Sequence, residues 1–235
     1  MSEHVKYQLN EGVATIAMDD GKVNAMSLNM IATLNRMIDR AEADRAAIAL
    51  VGRSGVFSAG FDLATLGAKN ADSRSMVKAG FELAERMLSF PRPIVIACTG
   101  HAIAMGVFLV LCADYRIGAD GAFKLGPNEV AIGLTMPYFA IEICRQRLAP
   151  AHFHRALINA EPYSPSAAVA AGFLDQVIPA EGLLSVAQGV ATQLAKLDAV
   201  AFRETKLRVR AQALAAIRDA IEKDDAVSEE RSRRV

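Results

Sequence analysis

At 235 residues, with 52% apolar and 22% charged side chains, the chain is long enough to bury a sizeable core and has the composition of a globular protein. Its 26 basic residues are matched by 26 acidic ones, which argues against nucleic acid as the main partner and leaves small anionic ligands open. Three cysteines, Cys98, Cys112 and Cys144, lie in apolar surroundings without a C-x-x-C spacing, so they suggest neither a disulfide framework nor a metal site and read as buried free thiols of a reducing compartment.

The first residues, "MSEHVKYQLNEGVATIAMDDG", carry acidic side chains early and no basic-then-apolar signal, which predicts a cytoplasmic protein. "VATIAM" (13–18) predicts a strand, "SLNMIATLNRMIDRAEAD" (27–44) a helix capped by Ser27, and "AIALVG" (47–52) a buried strand. A glycine-bearing turn, "GRSGVFSAGFDLATLG", leads to a helix over 73–90. From Pro93 through Ala113 no side chain is charged, a length that would suit a membrane span. Thr99-Gly100-His101, Gly106 and the flanking Pro91 and Pro93 break it instead into a buried strand, "PIVIAC", and a fully buried helix, "AMGVFLVLCADY". No membrane association is expected. Strands alternating with helices imply a mostly parallel sheet in an α/β fold. From about residue 181 the pattern is wholly helical, with apolar stripes wide enough to cover a core or a neighbouring subunit, so the chain divides into a core over 1–180 and a helical region over 181–235.

Two strand-to-helix turns are alike. Phe57-Ser58-Ala59-Gly60-Phe61-Asp62-Leu63 follows the strand at 47–52, and Thr99-Gly100-His101-Ala102-Ile103-Ala104-Met105-Gly106 follows the strand at 94–98. In each, small residues allow close approach of a ligand, and a helix start leaves backbone N–H groups without intrahelical partners. Two such groups aimed at one point make an oxyanion hole.

"GKVNAMS", "FSAGFDL", "GHAIAMGVFLVLCADYRIG", "FKLGPNEVAIGL" and "AAVAAGFLDQVIP", in this order over roughly residues 5–180, resemble the enoyl-CoA hydratase/isomerase (crotonase) superfamily. The resemblance implies a spiral of ββα units with a helical C-terminal region, assembled as a homotrimer or a dimer of trimers. It also implies an acyl-CoA thioester as substrate and no separate cofactor or metal, coenzyme A being part of the substrate. By motif position the oxyanion-hole donors are the backbone N–H groups of Phe61 and Met105, with Gly106 able to share the second role. Ala59, Gly60, Phe108 and Lys22 fall where the substrate would pass. Met105 departs from the family pattern, in which glycine is usual, but a backbone donor does not depend on its side chain.

A larger departure concerns protons. Hydratases of the family carry one glutamate after the second turn and another in the loop after the next strand, since adding water needs a base for the water and an acid for carbon. The first position falls here on Phe108, which transfers no proton. The second falls on Glu129 in "GPNEV", with one residue inserted after Asp114. A single glutamate suits isomerisation of a 3-enoyl- to a 2-enoyl-CoA, as in the mitochondrial isomerases that this arrangement resembles. Hydration, an impaired acyl-CoA-binding member, and thioester hydrolysis or decarboxylation remain alternatives. Glu142 is the understudy base, unless Arg145 or Arg147 neutralises it, and His101 is a candidate shuttle. Asp62 is expected to cap its helix and Asp114 to lie near Arg116. Arg203, Lys206, Arg208 and Arg210 offer charge for a phosphate or form a solvated face. Phe108, Leu66, Met136 and Phe139 suggest an apolar acyl pocket.

Overall fold

A computed structural model describes residues 4–233. Among the described residues, nine strands form two sheets. The larger contains β1 (Val5–Asn10), β2 (Val13–Met18), β3 (Ala47–Val51), β5 (Ile94–Cys98), β7 (Tyr115–Ala119) and β9 (Gln176–Ile178), in that spatial order. β1 and β2 pair antiparallel, and every later neighbour is parallel. The smaller sheet contains β4 (Gly55–Ser58), β6 (Gly100–Ile103) and β8 (Leu125–Gly126), all parallel. Each of β3, β5 and β7 is thus followed by one short strand of the second sheet and then by helix, the ββα repeat that the resemblance implied.

The short strands correct the turn assignment. Phe57 and Ser58 close β4, and Gly100–Ile103 is β6, so the true turns are only a few residues long. Two to four residues are too few to display a period of two, and the glycines beside them read as turn.

The central strands β3 and β5 are buried on both faces, which is why they are continuous apolar runs. On one face Ile16, Ile48, Leu50, Ile94 and Ile96 pack against α1 (Leu28–Ala43), α3 (Ala71–Ser89) and α4 (Met105–Cys112). On the other, Ala47, Ala49, Val51, Val95 and Ala97 meet Leu183, Ala187 and Ala191 of α8 (Leu183–Ala195), the alanines on both sides allowing close approach. Each large side chain buried in this way contributes about 1.5–3 kcal/mol.

Helix starts follow the sequence. Ser27 Oγ accepts from Met30 N at 3.2 Å at the head of α1. Asp62 accepts from Thr65 N at 2.8 Å and caps α2 (Leu63–Gly67), as expected. Asn70 caps α3. α4 is apolar all round, and every residue of it is buried.

After β8 come α5 (Tyr138–Arg145), α6 (Pro150–Leu157) and α7 (Pro165–Ala171). The last helix, α9 (Ala199–Arg233), lies along α3 and α5 of its own chain. Lys78–Asp225 (2.7 Å) ties it to α3, while Asp224 accepts from Tyr138 N and Phe139 N (3.0 and 2.9 Å) and so caps α5 from 85 or more residues away.

Two expectations about charge are corrected. Asp114 lies not with Arg116 but with Lys206 Nζ (2.8 Å), Arg210 Nη2 (2.9 Å) and Ile94 N (2.8 Å). Arg116 forms a two-pronged pair with Asp175. Lys206 and Arg210 are therefore buried structural ties rather than phosphate ligands, whereas Arg203 and Arg208 are exposed.

Candidate active site

Both glycine-bearing turns end at the same place. Gly60 has φ +94°, a conformation open to glycine, and a Cβ there would lie 2.9 Å from Ala104 Cβ and 3.4 Å from Met105 N. Gly106 is pressed harder still: a Cβ would fall 2.3 Å from the Ser58 carbonyl oxygen. The end of β4 and the start of α4 therefore meet backbone to backbone.

Within this contact the Phe61 amide has a defined direction. Phe61 forms a parallel bridge with Met26, in which Met26 N donates to Gly60 O (2.8 Å) and Asp62 N donates to Met26 O (3.4 Å). Backbone groups alternate sides, so the Phe61 N–H faces away from Met26. Met105 is the first residue of α4, where N–H groups have no intrahelical acceptor. Ala104 precedes it with φ 50° and ψ −126°, a strained geometry for alanine that costs about 1–3 kcal/mol. Nothing in its sequence signals that strain.

Glu129 stands in the loop after β8. That loop is anchored to the second turn, since Ala104 N donates to Gly126 O at 3.3 Å, and closed on itself by Leu134 N donating to Glu129 O at 2.8 Å. The Glu129 carboxylate is buried, and among the described residues its Oε2 has no hydrogen-bond partner and Asn128 Oδ1 beside it is likewise unpartnered. Burial raises its pKa above the ordinary carboxylate value, partly opposed by the backbone N–H groups of Glu129 and Asn128. Its charge in turn adds to the burial that raises the Cys144 thiol.

Phe108 is buried, edge-on to Phe139 at 6.2 Å. Phe139 stacks on Phe81 at 4.1 Å, and Phe81 is edge-on to Phe61 at 6.0 Å. An unbroken line of four rings runs from the first-glutamate position to the first turn. The acyl pocket expected from Phe108, Leu66, Met136 and Phe139 is redrawn. A cavity of about 580 Å³ lies between α2, α3 and α9, with apolar walls from Leu66, Val77, Phe81, Leu134 and Ile221 and with Lys69 and Arg74 also lining it. Of the four, only Leu66 lines it; Phe108 and Phe139 are core, and Met136 packs against the core half-buried. The cavity touches both halves of the site, through Phe81 to Phe61 and through Leu134 to Glu129.

The remaining candidates take structural places. Glu142 pairs with Arg145 at 3.2 Å, and Arg147 binds the Leu111 and Ala113 carbonyls instead. His101 Nδ1 accepts from Lys124 N at 3.1 Å with its ring edge-on to Phe123, so it braces β6. Lys22 and Ala59 are exposed beside the first turn; Ala59 N donates to Val23 O, and Arg53 Nη1 donates to Lys22 O. Asp224 and Gly80, which shape the cavity and the Phe61 slot, were not singled out by sequence reasoning. A glycine inside the helical pattern of 73–90 was the available signal for Gly80.

The sequence model of the enoyl-CoA hydratase/isomerase family matches residues 8–233. The chain belongs to this family. Human mitochondrial enoyl-CoA delta isomerase 1 is 31% identical over 204 residues, covering 85% of this chain and 68% of that protein. Against the mouse isomerase the match covers 65% of the relative, so the chain spans about two thirds of the length of the curated relatives it matches. Among solved structures, an enoyl-CoA hydratase/isomerase family protein from Pseudomonas syringae superposes with TM-score 0.93 at 46% identity, over 95% of this chain and 97% of that one. The apo enoyl-CoA isomerase of Mycobacterium tuberculosis gives 0.92 at 45%, over 96% and 99%. The family match includes α8 and α9, and the crotonase fold is that of these neighbours.

Proposed function

We propose that this family member isomerises 3-enoyl-CoA thioesters to 2-enoyl-CoA, with Glu129 as the sole proton carrier and the Phe61 and Met105 N–H groups as the oxyanion hole. The observation that carries this reading is the buried Glu129 carboxylate with an unpartnered oxygen, on a loop anchored one residue before Met105. The Glu129 carboxylate takes a proton from C2, and the electron pair of that C–H bond becomes part of a thioester enolate whose oxygen lies between the two N–H donors. As the enolate collapses, the double bond moves from C3–C4 to C2–C3, and the protonated Glu129 returns its proton at C4. Desolvation makes Glu129 a stronger base than a solvated carboxylate, which suits both halves of the shuttle.

Phe108 favours isomerisation over hydration, because it fills the first-glutamate position with a ring packed on Phe139 and leaves no second acid-base group there. The cavity beside Phe81 and Leu134 supports an apolar acyl chain, and exposed Lys22 supports the nucleotide end of the thioester. The same reading carries the family assembly, a homotrimer or dimer of trimers, toward which the exposed Val130, Ile132 and Tyr138 offer apolar surface. It also carries a role in fatty-acyl metabolism in the cytoplasm, consistent with three buried unpaired thiols.

Turnover of 3-enoyl- and 2-enoyl-CoA esters by wild type and Glu129→Ala tests the assignment. Isomerisation should fall at least about 10³-fold in the variant, the scale of losing an acid-base group. Full activity in Glu129→Ala overturns the mechanism, and hydration without isomerisation overturns the reaction.

A further inference from the structure

We infer that Gly80 is a positioning residue for the oxyanion hole, acting through the ring of Phe61. It lies in the middle of α3, far from any turn, in a position where alanine is the better helix former. What its hydrogen permits is close approach: a Cβ on Gly80 would lie 2.5 Å from Phe61 Cε1 and 2.7 Å from Phe61 Cζ, with Ile31 Cδ1 next at 3.7 Å. The Phe61 ring thus occupies a slot whose floor is Gly80 and whose wall is the edge-on ring of Phe81, itself stacked on Phe139.

The backbone of Phe61 needs this anchor. It follows Gly60, whose φ of +94° lies in glycine's own range, and on its other side Asp62 turns into a helix of only five residues. The bridge to Met26 holds one edge of the segment; the ring in its slot holds the other. Moving the ring outward levers the Phe61 N–H away from the Met105 N–H, and an oxyanion-hole donor works only at its proper distance. Gly80 touches no reacting atom, and its effect is carried entirely by Phe61.

This inference rests on the oxyanion-hole reading of Phe61. The test is steady-state kinetics of Gly80→Ala, Phe61→Ala and the double variant on the 3-enoyl-CoA ester that wild type isomerises, together with thermal melting. Gly80→Ala should lower kcat at least about tenfold, part of the loss expected when one donor is removed, and leave KM within about threefold. With Phe61→Ala as the reference, adding Gly80→Ala should change kcat by less than about twofold, because no ring remains to displace. Equal losses in both backgrounds, or an unchanged kcat in Gly80→Ala, overturn the inference alone. If Gly80→Ala does not fold, the double variant decides: it should fold and match Phe61→Ala, and failure to do so overturns the inference. Wild-type protein that turns over neither 3-enoyl- nor 2-enoyl-CoA esters overturns the oxyanion-hole reading and this inference with it.

Discussion

Glu129 is a carboxylate held out of water at a cost to the fold. Its native pKa is raised by burial, so folding favours the protonated form, and stability declines as pH rises from the unfolded-state value toward the native one. Above both values the full penalty of a buried carboxylate is present. Glu129→Gln should therefore stabilise the protein at pH 7 by about 1–3 kcal/mol, a rise of roughly 2–4 °C in Tm per kcal/mol, and the gain should vanish in acid once the wild-type side chain is protonated. Melting curves from pH 3 to 8 check the sign. In the proposed mechanism the carboxylate is the form that abstracts a proton, so kcat/KM should fall on the acid side with a midpoint above the ordinary carboxylate range. At this scale the sequence located Glu129 by its motif, but the unpartnered oxygen depends on loop closure by Leu134 and on the surrounding core, which spacing alone does not reveal.

The elements were unevenly legible. α1, α3, β2, β3 and β5 were readable because caps and apolar periods are local, as Ser27 and the run "AIALV" show. β4 and β6 of the small sheet were read as turns, although they are what deliver the two turns to each other. Gly106 makes that delivery possible, since the Ser58 carbonyl occupies the space a side chain would need. Gly106→Ala should shift α4 from β4, cost about 1–3 kcal/mol as an overpacked site, and lower kcat together with stability. Denaturant midpoints and turnover measured on one preparation check both effects.

The whole molecule is fastened by charges that join the middle of the chain to its last helix. Asp114, between α4 and β7, accepts from Ile94 N on β5 and from Lys206 and Arg210 on α9. Burial, outweighing the attraction of Asp114 and aided by the nearby Arg210, pushes the Lys206 amine down to about 8. Asp114→Asn leaves two buried cations without their carboxylate and should cost about 3–5 kcal/mol, whereas Lys206→Met, which leaves Arg210 on Asp114, should cost less; urea unfolding of both variants checks the order. The basic residues of "RETKLRVR" gave no sequence sign of which would be buried, because a partner 92 residues away decides it. By itself the sequence determined the α/β class, the buried strand and helix of "PIVIAC" and "GVFLVLC", and the family, since these depend on local periodicity, caps and ordered motifs. Only the tertiary structure decided that Phe61 lies in a slot above Gly80, that Asp224 caps α5, that the cavity opens beside Phe81 rather than Phe108, and that Lys206 serves Asp114. Each of these is a contact between distant segments, fixed by how the layers pack rather than by any pattern within one of them.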